Sequence, residues 1–420
     1  MRRRVFILGS TGSIGKNTLE VIRDFHLQRA QHIEPAPIDF EVIGLSAFSR
    51  GDELAAQAQE FNCAAVAITD AEPTARFPAQ CKVFRGAEAA CEMLEALARK
   101  GDLVVVAIVG AAGITPTLTA LRKGCDIALA NKETLVAAGS IVMREAERNG
   151  CRITPIDSEH NALFQCLKAS SRFERGFPDV RRVVLTASGG PFRNATAEVL
   201  ARVSVEDALR HPTWSMGPKV TIDSASLMNK ALELIEAHWL FGLESARLDA
   251  IIHPQSLVHG FVEFLDGSTL AHLSPPDMRT PIQHALSDPQ RCNGPSTKLD
   301  WTALRTLEFS PIDHSRFRAI ALAHEVIKRG ATAGAVFNAA NEIAVQAFLA
   351  KQIGFTAITR IVEATLEQFD AKPISASASP SLEEILAADV AAREFASRLT
   401  TLDSLESHTS RTPSRDRIIG

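Results

Sequence analysis

The sequence predicts an α/β protein in three parts: a doubly wound parallel sheet, then an α+β region, then a bundle of helices. Strand-like and helix-like patterns alternate over residues 1–150, which is typical of a parallel sheet covered by helices. Strands and helices mix over residues 151–290, and Ala-rich helical patterns fill the chain from Ser315 onward. A chain of 420 residues that is 46% hydrophobic and 22% charged can bury the cores of two or three domains.

The first part, residues 1–150, holds the predicted strands and helices of the parallel sheet. The strands are expected at 5–8, 40–46, 64–68, 103–109 and 127–130, with helices near 14–25 and 52–62. The polar stretch 28–38 separates the first helix from the second strand and contains two prolines. We therefore expect a mobile surface loop there.

The central part, residues 151–290, is predicted to pair some of its strands antiparallel. Its strands are expected at 152–156, 183–186, 248–252, 257–264 and 269–273. Residues 211–218 contain two prolines and a glycine, which disfavours both helix and strand. Because this loop carries Trp214 and Met216, we expect a lid that spans residues 207–219.

The C-terminal part begins after a connecting segment at 291–314. Helices are predicted at 315–329, 334–350, 356–369 and 381–399, and they form a small bundle over residues 315–400. Residues 401–420 are rich in Ser, Thr and Arg and hold few large apolar side chains. We expect this tail to be disordered, because it cannot bury enough apolar surface to fold.

Composition and charge narrow the classes of protein and partner. A formal net charge of −4 disfavours nucleic acids and anionic membranes as partners, since both select a basic surface. The longest apolar run, 103–114, is too short to cross a bilayer, and the apolar stretch before Gly9 is too short for a signal peptide. The seven cysteines stand singly and indicate no disulfide framework. We therefore expect a cytoplasmic protein.

A glycine loop lies between the first predicted strand and the first predicted helix. Gly9, Gly12 and Gly15 are spaced three residues apart in it. Such a loop lets backbone N–H groups approach a pyrophosphate at the start of a helix. A tight turn without a ligand is the alternative, but the flanking strand and helix favour a Rossmann-like dinucleotide site.

The end of the second predicted strand favours NADPH over NADH. An Asp or Glu there would hold the ribose hydroxyls of NAD, and residues 42–50 contain neither. Ser46, Ser49 and Arg50 suit a 2′-phosphate instead. An ordinary surface arginine is the alternative for Arg50.

Three carboxylates in two segments predict a metal site. Asp157 and Glu159 follow the strand predicted at 152–156, where open α/β sheets place their sites, and Glu233 stands in the second segment. Each lies near Ser, Asn or Lys, so oxygen ligands for a hard divalent cation accompany donors for an anionic substrate. Helix capping is the alternative for any one of the three.

The segment around Glu233 is predicted to be one long amphipathic helix that reaches residue 240 and is capped by Asp223 or Ser224. Asn229 and Lys230 then lie about one turn before Glu233 on the same face. The serine-rich start of this helix suits an anion. On this helix alone, a solvated Lys–Glu pair explains Lys230 and Glu233 more simply.

Several uncommon strings occur in one order along the chain. They lie at 9–15, 130–133, 155–160, 187–192, 211–212, 214–217, 228–230, 252–256 and 338–342. Together they resemble the 1-deoxy-D-xylulose 5-phosphate reductoisomerase family, up to about residue 400. The resemblance implies an NADPH-binding first domain, a central catalytic domain for metal and substrate, and a C-terminal helical domain that supports a homodimer.

The resemblance also implies the residues of the site. The metal, Mg²⁺, Mn²⁺ or Co²⁺, would lie on Asp157, Glu159 and Glu233. The phosphate of the substrate would lie on Ser188, Ser224, Asn229 and Lys230, and the rest of the substrate on Lys132, Ser158, His211, Trp214 and Met216. NADPH would lie on Gly9, Thr11, Gly12, Ser13, Ile14, Asn131, Glu133 and Gly217, with Ser49 and Arg50 at its 2′-phosphate. Lys132 and His211 are candidates for handling protons.

The implied reaction rearranges and reduces 1-deoxy-D-xylulose 5-phosphate to 2-C-methyl-D-erythritol 4-phosphate, a step toward isoprenoids. The family usually carries Ala-Gly-Lys/Arg-Asn after the second strand, whereas this chain carries Ala47-Phe48-Ser49-Arg50, which moves the cation by one residue. A plain NADP-dependent dehydrogenase and a non-catalytic nucleotide-binding protein are the alternatives. The three carboxylates oppose the first, and their presence together with Lys132 and His211 opposes the second.

Overall fold

The computed structural model describes residues 2–34, 37–70, 75–171, 176–210, 214, 216–371 and 379–409. The chain forms two compact units, Met1–Ala187 with Glu236–Ser310 and Ser188–Ile235 with Pro311–Gly420. This division reflects packing within the chain. The functional domains expected at 1–150, 151–290 and 315–400 stay predictions.

The first unit contains a parallel sheet whose described strands follow the order β4-β3-β2-β1-β5-β6-β7. These strands are β1 Arg3–Leu8, β2 Phe40–Ala47, β3 Ala65–Ile68, β4 Lys82–Arg85, β5 Leu103–Val106, β6 Asp126–Leu129 and β7 Ile153–Pro155. Every residue of β3 and β5 is buried, as expected where helices cover both faces of a parallel sheet. The predicted doubly wound sheet is therefore confirmed.

A second sheet in the same unit mixes parallel and antiparallel pairs. Its described strands are β8 Val180–Ala187, β9 Leu248–Ile252, β10 Val258–Phe264 and β11 Thr269–Leu273, in the order β11-β10-β8-β9. Strand β10 runs antiparallel to β8 and β11, whereas β8 and β9 run parallel. The antiparallel pairing expected in the central part of the chain is confirmed.

Helices make up most of the remaining described structure. They are α1 Ser13–Ala30, α2 Gly51–Glu60, α3 Ala89–Leu97, α4 Ile114–Arg122, α5 Lys132–Asn149, α6 Ser158–Leu167, α7 Ala197–Leu200, α8 Val205–Ala208, α9 Pro218–Ser226, α10 Met228–Phe241, α11 Arg279–Ser287, α12 Ala319–Arg329, α13 Ala333–Leu349, α14 Ala357–Ala371 and α15 Leu382–Thr409. The last four are the predicted C-terminal helices. Among the described residues, no helix is both long enough and apolar enough to span a membrane.

Two predicted helices have different bounds in the structure. The helix expected to run to residue 240 is broken at Leu227, whose φ of +61° is left-handed and separates α9 from α10. Asp223 and Ser224 therefore lie inside α9 and cap neither helix. Helix α1 continues to Ala30, so the start of the polar stretch 28–38 is helical, and residues 35–36 lie outside the described part of the chain.

The expected lid and tail also overlap regular structure at their edges. Residues 207–208 belong to α8 and residues 218–219 belong to α9. Helix α15 runs to Thr409 instead of ending near residue 400, and residues 410–420 lie outside the described part. The hydroxyl of Thr401 donates to the carbonyl of Ser397 at 3.0 Å, so this polar side chain is satisfied within the helix.

Candidate active site

The predicted site residues of the first unit follow three strands of the parallel sheet. Gly9 follows β1, Lys132 begins α5 just after β6, and Asp157 follows β7. In an open parallel sheet the carboxyl ends of the strands share one edge, where α/β proteins bind their ligands. The sheet thus places the glycine loop, Lys132 and Asp157 along a single edge.

Asp157 and Glu159 form a carboxylate cluster at the start of α6. Asp157 is the N-cap and accepts the N–H of Ser158 at 3.1 Å, while an oxygen of Asp157 and one of Glu159 lie within 4.8 Å of each other. The hydroxyl of Ser158 donates to Glu159. Asp157 therefore both caps α6 and belongs to the carboxylate cluster. Two carboxylates this close suit a divalent cation, because oxygen ligands hold hard cations.

Lys132 keeps Asp157 in its charged form. Its Nζ lies 2.8 Å from Oδ2 of Asp157, and both side chains are largely buried. Burial by itself would raise the pKa of the Asp157 carboxyl, but Lys132 and His160 outweigh it and hold that pKa well below its usual range. Asp157 is thus an anion at neutral pH and ready to act as a ligand.

His160 and Glu236 complete this cluster, and the sequence reasoning gave neither of them a role. Nδ1 of His160 lies 3.5 Å from Oδ2 of Asp157 and 3.5 Å from Oε2 of Glu236. Both side chains are almost completely buried, at 0% and 1% exposed. Their positions three residues beyond Asp157 and Glu233 on amphipathic helices are a sequence signal that could have identified them.

The glycine loop needs glycine at two of its three positions. Gly9 has a φ of +86°, and a Cβ there would lie 2.5 Å from the carbonyl oxygen of Ala107. A Cβ on Gly15 would lie 2.4 Å from the oxygen of Gly9, so the start of α1 packs directly on the loop. The buried Ser46 accepts the N–H of Gly9 at 3.0 Å and therefore holds the loop, rather than facing a 2′-phosphate as predicted.

The other predicted cofactor residues lie beside this loop or at the start of α5. Arg50 Nη1 donates to the carbonyl of Thr11 at 2.9 Å, and its side chain is 62% exposed. Ser49 is exposed. Asn131 caps α5 by accepting the N–H of Thr134 at 2.7 Å and also donates to the carbonyl of Gly110 at 2.9 Å, so its amide is fully engaged. The next carboxylate along, Glu133, is buried.

In the second unit, a glycine turn packs against the end of α9. Gly190 has a φ of +62°, and a Cβ there would lie 2.9 Å from the carbonyl oxygen of Ser224. Ser188 accepts the N–H of Gly190 at 3.2 Å, which ties its hydroxyl to the same turn. The backbones that carry Ser188 and Ser224 therefore touch.

Asn229, Lys230 and Glu233 form a buried polar group on α10. The break at Leu227 starts a new helix, so Asn229 and Lys230 lie in its first turn and both donate to Glu233. Lys230 is 3% exposed and Glu233 is 0% exposed. A solvated Lys–Glu pair is therefore excluded. A buried lysine and carboxylate are retained only when each is paired and hydrogen-bonded.

The described part of the expected lid is tied to the start of α9. Trp214 and Met216 are half-buried, and Gly217 is the exposed N-cap of α9. Thr221 donates both its N–H and its hydroxyl to the carbonyl of Gly217 at 3.0 Å. His211 and Ser215 lie outside the described residues.

Three family models match successive parts of the chain. The model for 1-deoxy-D-xylulose 5-phosphate reductoisomerase matches residues 5–139, and two models of C-terminal domains of the same enzyme match residues 153–241 and 273–395. The chain is 47% identical over 402 residues to the 1-deoxy-D-xylulose 5-phosphate reductoisomerase of Pelodictyon phaeoclathratiforme, covering 94% of this chain and 99% of that protein. It is 45% identical over 410 residues to that of Paraburkholderia xenovorans, covering 95% and 97%.

Solved structures agree with these matches. A crystal structure of DOX-P reductoisomerase in complex with NADPH, fosmidomycin and magnesium has a TM-score of 0.84 at 38% identity and covers 95% of this chain and 98% of that one. The reductoisomerase of Zymomonas mobilis in complex with NADPH has a TM-score of 0.81 at 41% identity and covers 95% and 99%. The chain therefore belongs to the 1-deoxy-D-xylulose 5-phosphate reductoisomerase family.

Proposed function

We propose that the chain rearranges and reduces 1-deoxy-D-xylulose 5-phosphate to 2-C-methyl-D-erythritol 4-phosphate, with NADPH as reductant and a divalent metal as electrophile. One observation carries this proposal: Lys132, Asp157 and Glu159 follow strands of the same parallel sheet that carries the glycine loop. A plain dehydrogenase needs the loop but no carboxylate cluster along the same edge. The product enters the non-mevalonate route to isoprenoids.

Asp157, Glu159 and Glu233 are the proposed metal ligands. The first two lie together at the start of α6, and Glu233 is buried in the second unit beside its two donors. An all-oxygen set fits Mg²⁺, Mn²⁺ or Co²⁺. A bound divalent cation supplies Lewis-acid polarisation of the substrate oxygens. Lys132 orients Asp157 and keeps it ionised.

Ser188, Ser224, Asn229 and Lys230 are the proposed phosphate ligands. The glycine turn at 189–190 holds the first two backbones together, and the first turn of α10 carries the other two. A helix start offers backbone N–H groups to an anion, and the ammonium of Lys230 adds a full positive charge. These groups anchor the substrate away from its reacting carbons.

The remaining proposed contacts surround the reacting part of the substrate. Lys132 carries protons at Nζ and suits stabilisation of negative charge that develops on an oxygen. Ser158 offers a hydroxyl beside the carboxylate cluster. His211, Trp214 and Met216 belong to the lid, which excludes water when it closes. Lys132 and His211 are the proposed proton-handling groups.

NADPH is proposed to lie along the glycine loop. Its pyrophosphate faces Gly9, Thr11, Gly12, Ser13 and Ile14 at the start of α1, because the exposed positions there leave room for close approach to backbone N–H groups. Asn131, Glu133 and Gly217 are further proposed contacts of NADPH, and Ser49 with Arg50 are proposed to hold the 2′-phosphate. The carbonyl of Thr11 already receives a bond from Arg50, so this arginine stands beside the loop.

The domain roles, a homodimer and a cytoplasmic location complete the proposal. They rest on the family resemblance. We propose that residues 1–150 bind NADPH, that residues 151–290 hold metal and substrate, and that the helices of 315–400 support the dimer. Analytical ultracentrifugation of the purified chain tests the dimer directly.

One assay tests the proposed reaction. NADPH oxidation is followed with 1-deoxy-D-xylulose 5-phosphate, with and without a chelator, and the product is identified by mass and NMR. The expected result is metal-dependent turnover to the branched product. Turnover that survives the chelator without change of carbon skeleton would leave a plain dehydrogenase, and no turnover with metal present would leave a nucleotide-binding protein.

A further inference from the structure

We propose that Asn341, on the C-terminal helix α13, positions Ser224 for the substrate phosphate by holding the neighbouring Asp223. This inference rests on the proposed phosphate site. Asn341 belongs to the string 338–342, one of those that carry the family resemblance, and the proposed site gives that string no role. Its effect reaches the substrate only through α9, so it is a positioning residue.

The bond between Asn341 and Asp223 joins two completely buried side chains. Nδ2 of Asn341 donates to Oδ1 of Asp223 at 2.9 Å, and the two residues are 0% and 1% exposed. An ionised carboxylate only accepts, so the nitrogen of the amide must face it. Nζ of Lys219 lies 2.9 Å from the other oxygen of Asp223. Lys219 and Asp223 are both on α9, so the bond from Asn341 is the one that joins α9 to α13. Hydrogen bonds to a buried charge are strong and directional, so this bond fixes α9 on α13.

Fixing Asp223 also fixes its chain neighbour. Consecutive side chains on an α-helix point about 100° apart, so a helix held by Asp223 on α13 must present Ser224 in another direction. The glycine turn touches the backbone of the same residue, since a Cβ on Gly190 would lie 2.9 Å from the carbonyl oxygen of Ser224. The last turn of α9 therefore has two contacts, one with α13 and one with the turn that carries Ser188.

Helix α9 also sets the start of α10. Only Leu227 separates the two helices, so a shift of α9 would move Asn229 and Lys230 along with Ser224. Loss of the bond from Asn341 should therefore appear as a weakened phosphate site, while the glycine loop of the first unit keeps its own contacts.

Asn338 provides a matched control on the same helix. It is also 0% exposed and lies about one turn before Asn341, but its Nδ2 donates to Oε1 of Glu342 on its own helix at 3.1 Å. Replacing either residue by Leu removes a buried amide from α13. Only the change at Asn341 removes a bond to α9.

The test compares Asn341→Leu with Asn338→Leu in the full-length chain with NADPH and Mg²⁺. Lys230→Ala serves as the reference for a damaged phosphate site and should lower kcat/KM by about 10- to 100-fold. We expect Asn341→Leu to raise KM for 1-deoxy-D-xylulose 5-phosphate by about tenfold with kcat nearly unchanged, because binding of a remote group is lost. NADPH affinity should not change. Asn338→Leu should leave KM near the wild-type value even if its melting temperature falls equally.

An exchange of the two side chains keeps the test valid if Asn341→Leu fails to fold. Asp223→Asn and Asn341→Asp should each raise KM, and the double variant should recover most of the loss because it restores one amide–carboxylate bond. An equal rise of KM in Asn338→Leu would overturn this inference and leave the proposed phosphate site standing. The same holds if KM does not rise in Asn341→Leu while kcat/KM falls in Lys230→Ala. If Lys230→Ala and Ser224→Ala both leave KM unchanged, the phosphate site is elsewhere and the inference falls with it.

Discussion

At the residue scale, Glu233 is a fully buried carboxylate whose two donors lie one turn earlier on its own helix. Lys230 balances its charge, and Asn229 satisfies its second oxygen. In the proposed site the same three side chains serve both ligands, since Glu233 faces the metal while Lys230 and Asn229 face the phosphate. The ion pair between Lys230 and Glu233 therefore balances the two charges that the metal and the phosphate would balance in that site.

Glu233→Gln is expected to reduce turnover at fixed Mg²⁺ by at least about 100-fold while the protein stays folded, because changes merely next to metal ligands already cost 10- to 100-fold. The amide keeps the size of the side chain but removes the anionic ligand. Turnover as a function of Mg²⁺, together with circular dichroism, measures both effects. Glu244→Gln, at an exposed carboxylate just after the same helix, should behave like wild type. Wild-type activity of Glu233→Gln at saturating Mg²⁺ would remove Glu233 from the metal site.

Arg50→Ala is expected to reduce the preference for NADPH over NADH. We expect a preference of at least roughly tenfold in the parent chain, which one phosphate contact of about 1.4 kcal/mol provides. The structure adds a rival cation, because Glu53 lies 2.6 Å from Lys16 and 3.7 Å from Arg50. Comparing kcat/KM for the two cofactors in Arg50→Ala and Lys16→Ala decides between them. A ratio that falls only in Lys16→Ala would assign the 2′-phosphate to Lys16.

Residue types and spacing predicted that Lys230 and Glu233 share one face of a helix, but not that both are buried. The exposure of a side chain depends on what packs over its helix face. A Lys and a Glu on one face have the same sequence spacing whether they are solvated or buried. The burial of Ser46 was not predicted for the same reason, and its hydroxyl accepts the N–H of Gly9. His160 was missed because a histidine in a helix is most often only a packed side chain.

At the element scale, the proposed phosphate site depends on two backbone positions with positive φ. Gly190 lets the turn after β8 touch α9, and Leu227 breaks what would otherwise be one helix so that α10 can begin. Glycine is the expected residue at the first position. Leucine is unexpected at the second, because a side chain at positive φ is strained. Nothing local in the sequence therefore predicted the break.

Gly190→Ala is expected to raise KM for 1-deoxy-D-xylulose 5-phosphate by about tenfold or more, since one displaced charge-assisted bond contributes about 1.5–3 kcal/mol. The new Cβ would lie 2.9 Å from the oxygen of Ser224 and 3.0 Å from Cα of Ala225, so the turn or α9 must move. Steady-state kinetics and thermal unfolding measure the result. Gly267→Ala is the control, because its φ is also positive at +87° but its Cβ meets nothing within 4 Å. Equal KM values in both variants would show that this turn does not contribute to binding of the substrate phosphate.

At the scale of the whole molecule, the sequence predicted the parallel sheet, the mixed second sheet and the C-terminal helices. Hydrophobic periodicity is a local signal, and it suffices where every residue of a strand is buried, as in β5. It failed for β4, whose end residues Lys82 and Arg85 are exposed. Hydrophobic periodicity could not predict the two compact units, because residues 188–235 pack with C-terminal helices that are distant in sequence.

The folded first unit is expected to lose stability as the pH falls from about 6.5 to 4, because of two buried histidines. His284 meets Asn161 at 3.1 Å and His272 meets Gln165 at 3.2 Å, and both partners lie on α6, the helix that begins with the carboxylate cluster. Burial chiefly lowers the pKa of His272 and that of His284 to about 4 from an ordinary value of 6.5. Between these pH values the unfolded chain binds more protons than the folded chain, so acid favours unfolding.

His284→Gln is expected to make the free energy of unfolding less dependent on pH in that window. A pKa difference of about 2.5 units corresponds to about 3 kcal/mol per histidine as an upper bound. Glutamine can still bond Asn161 but cannot take up a proton, so about half of the loss between pH 6.5 and 4 should disappear. Urea unfolding at a series of pH values and one protein concentration measures it. His314→Gln, at an exposed histidine, should leave the pH dependence intact. If His284→Gln leaves it intact as well, the pKa of His284 does not differ between the folded and unfolded chains, and the acid sensitivity arises from other groups.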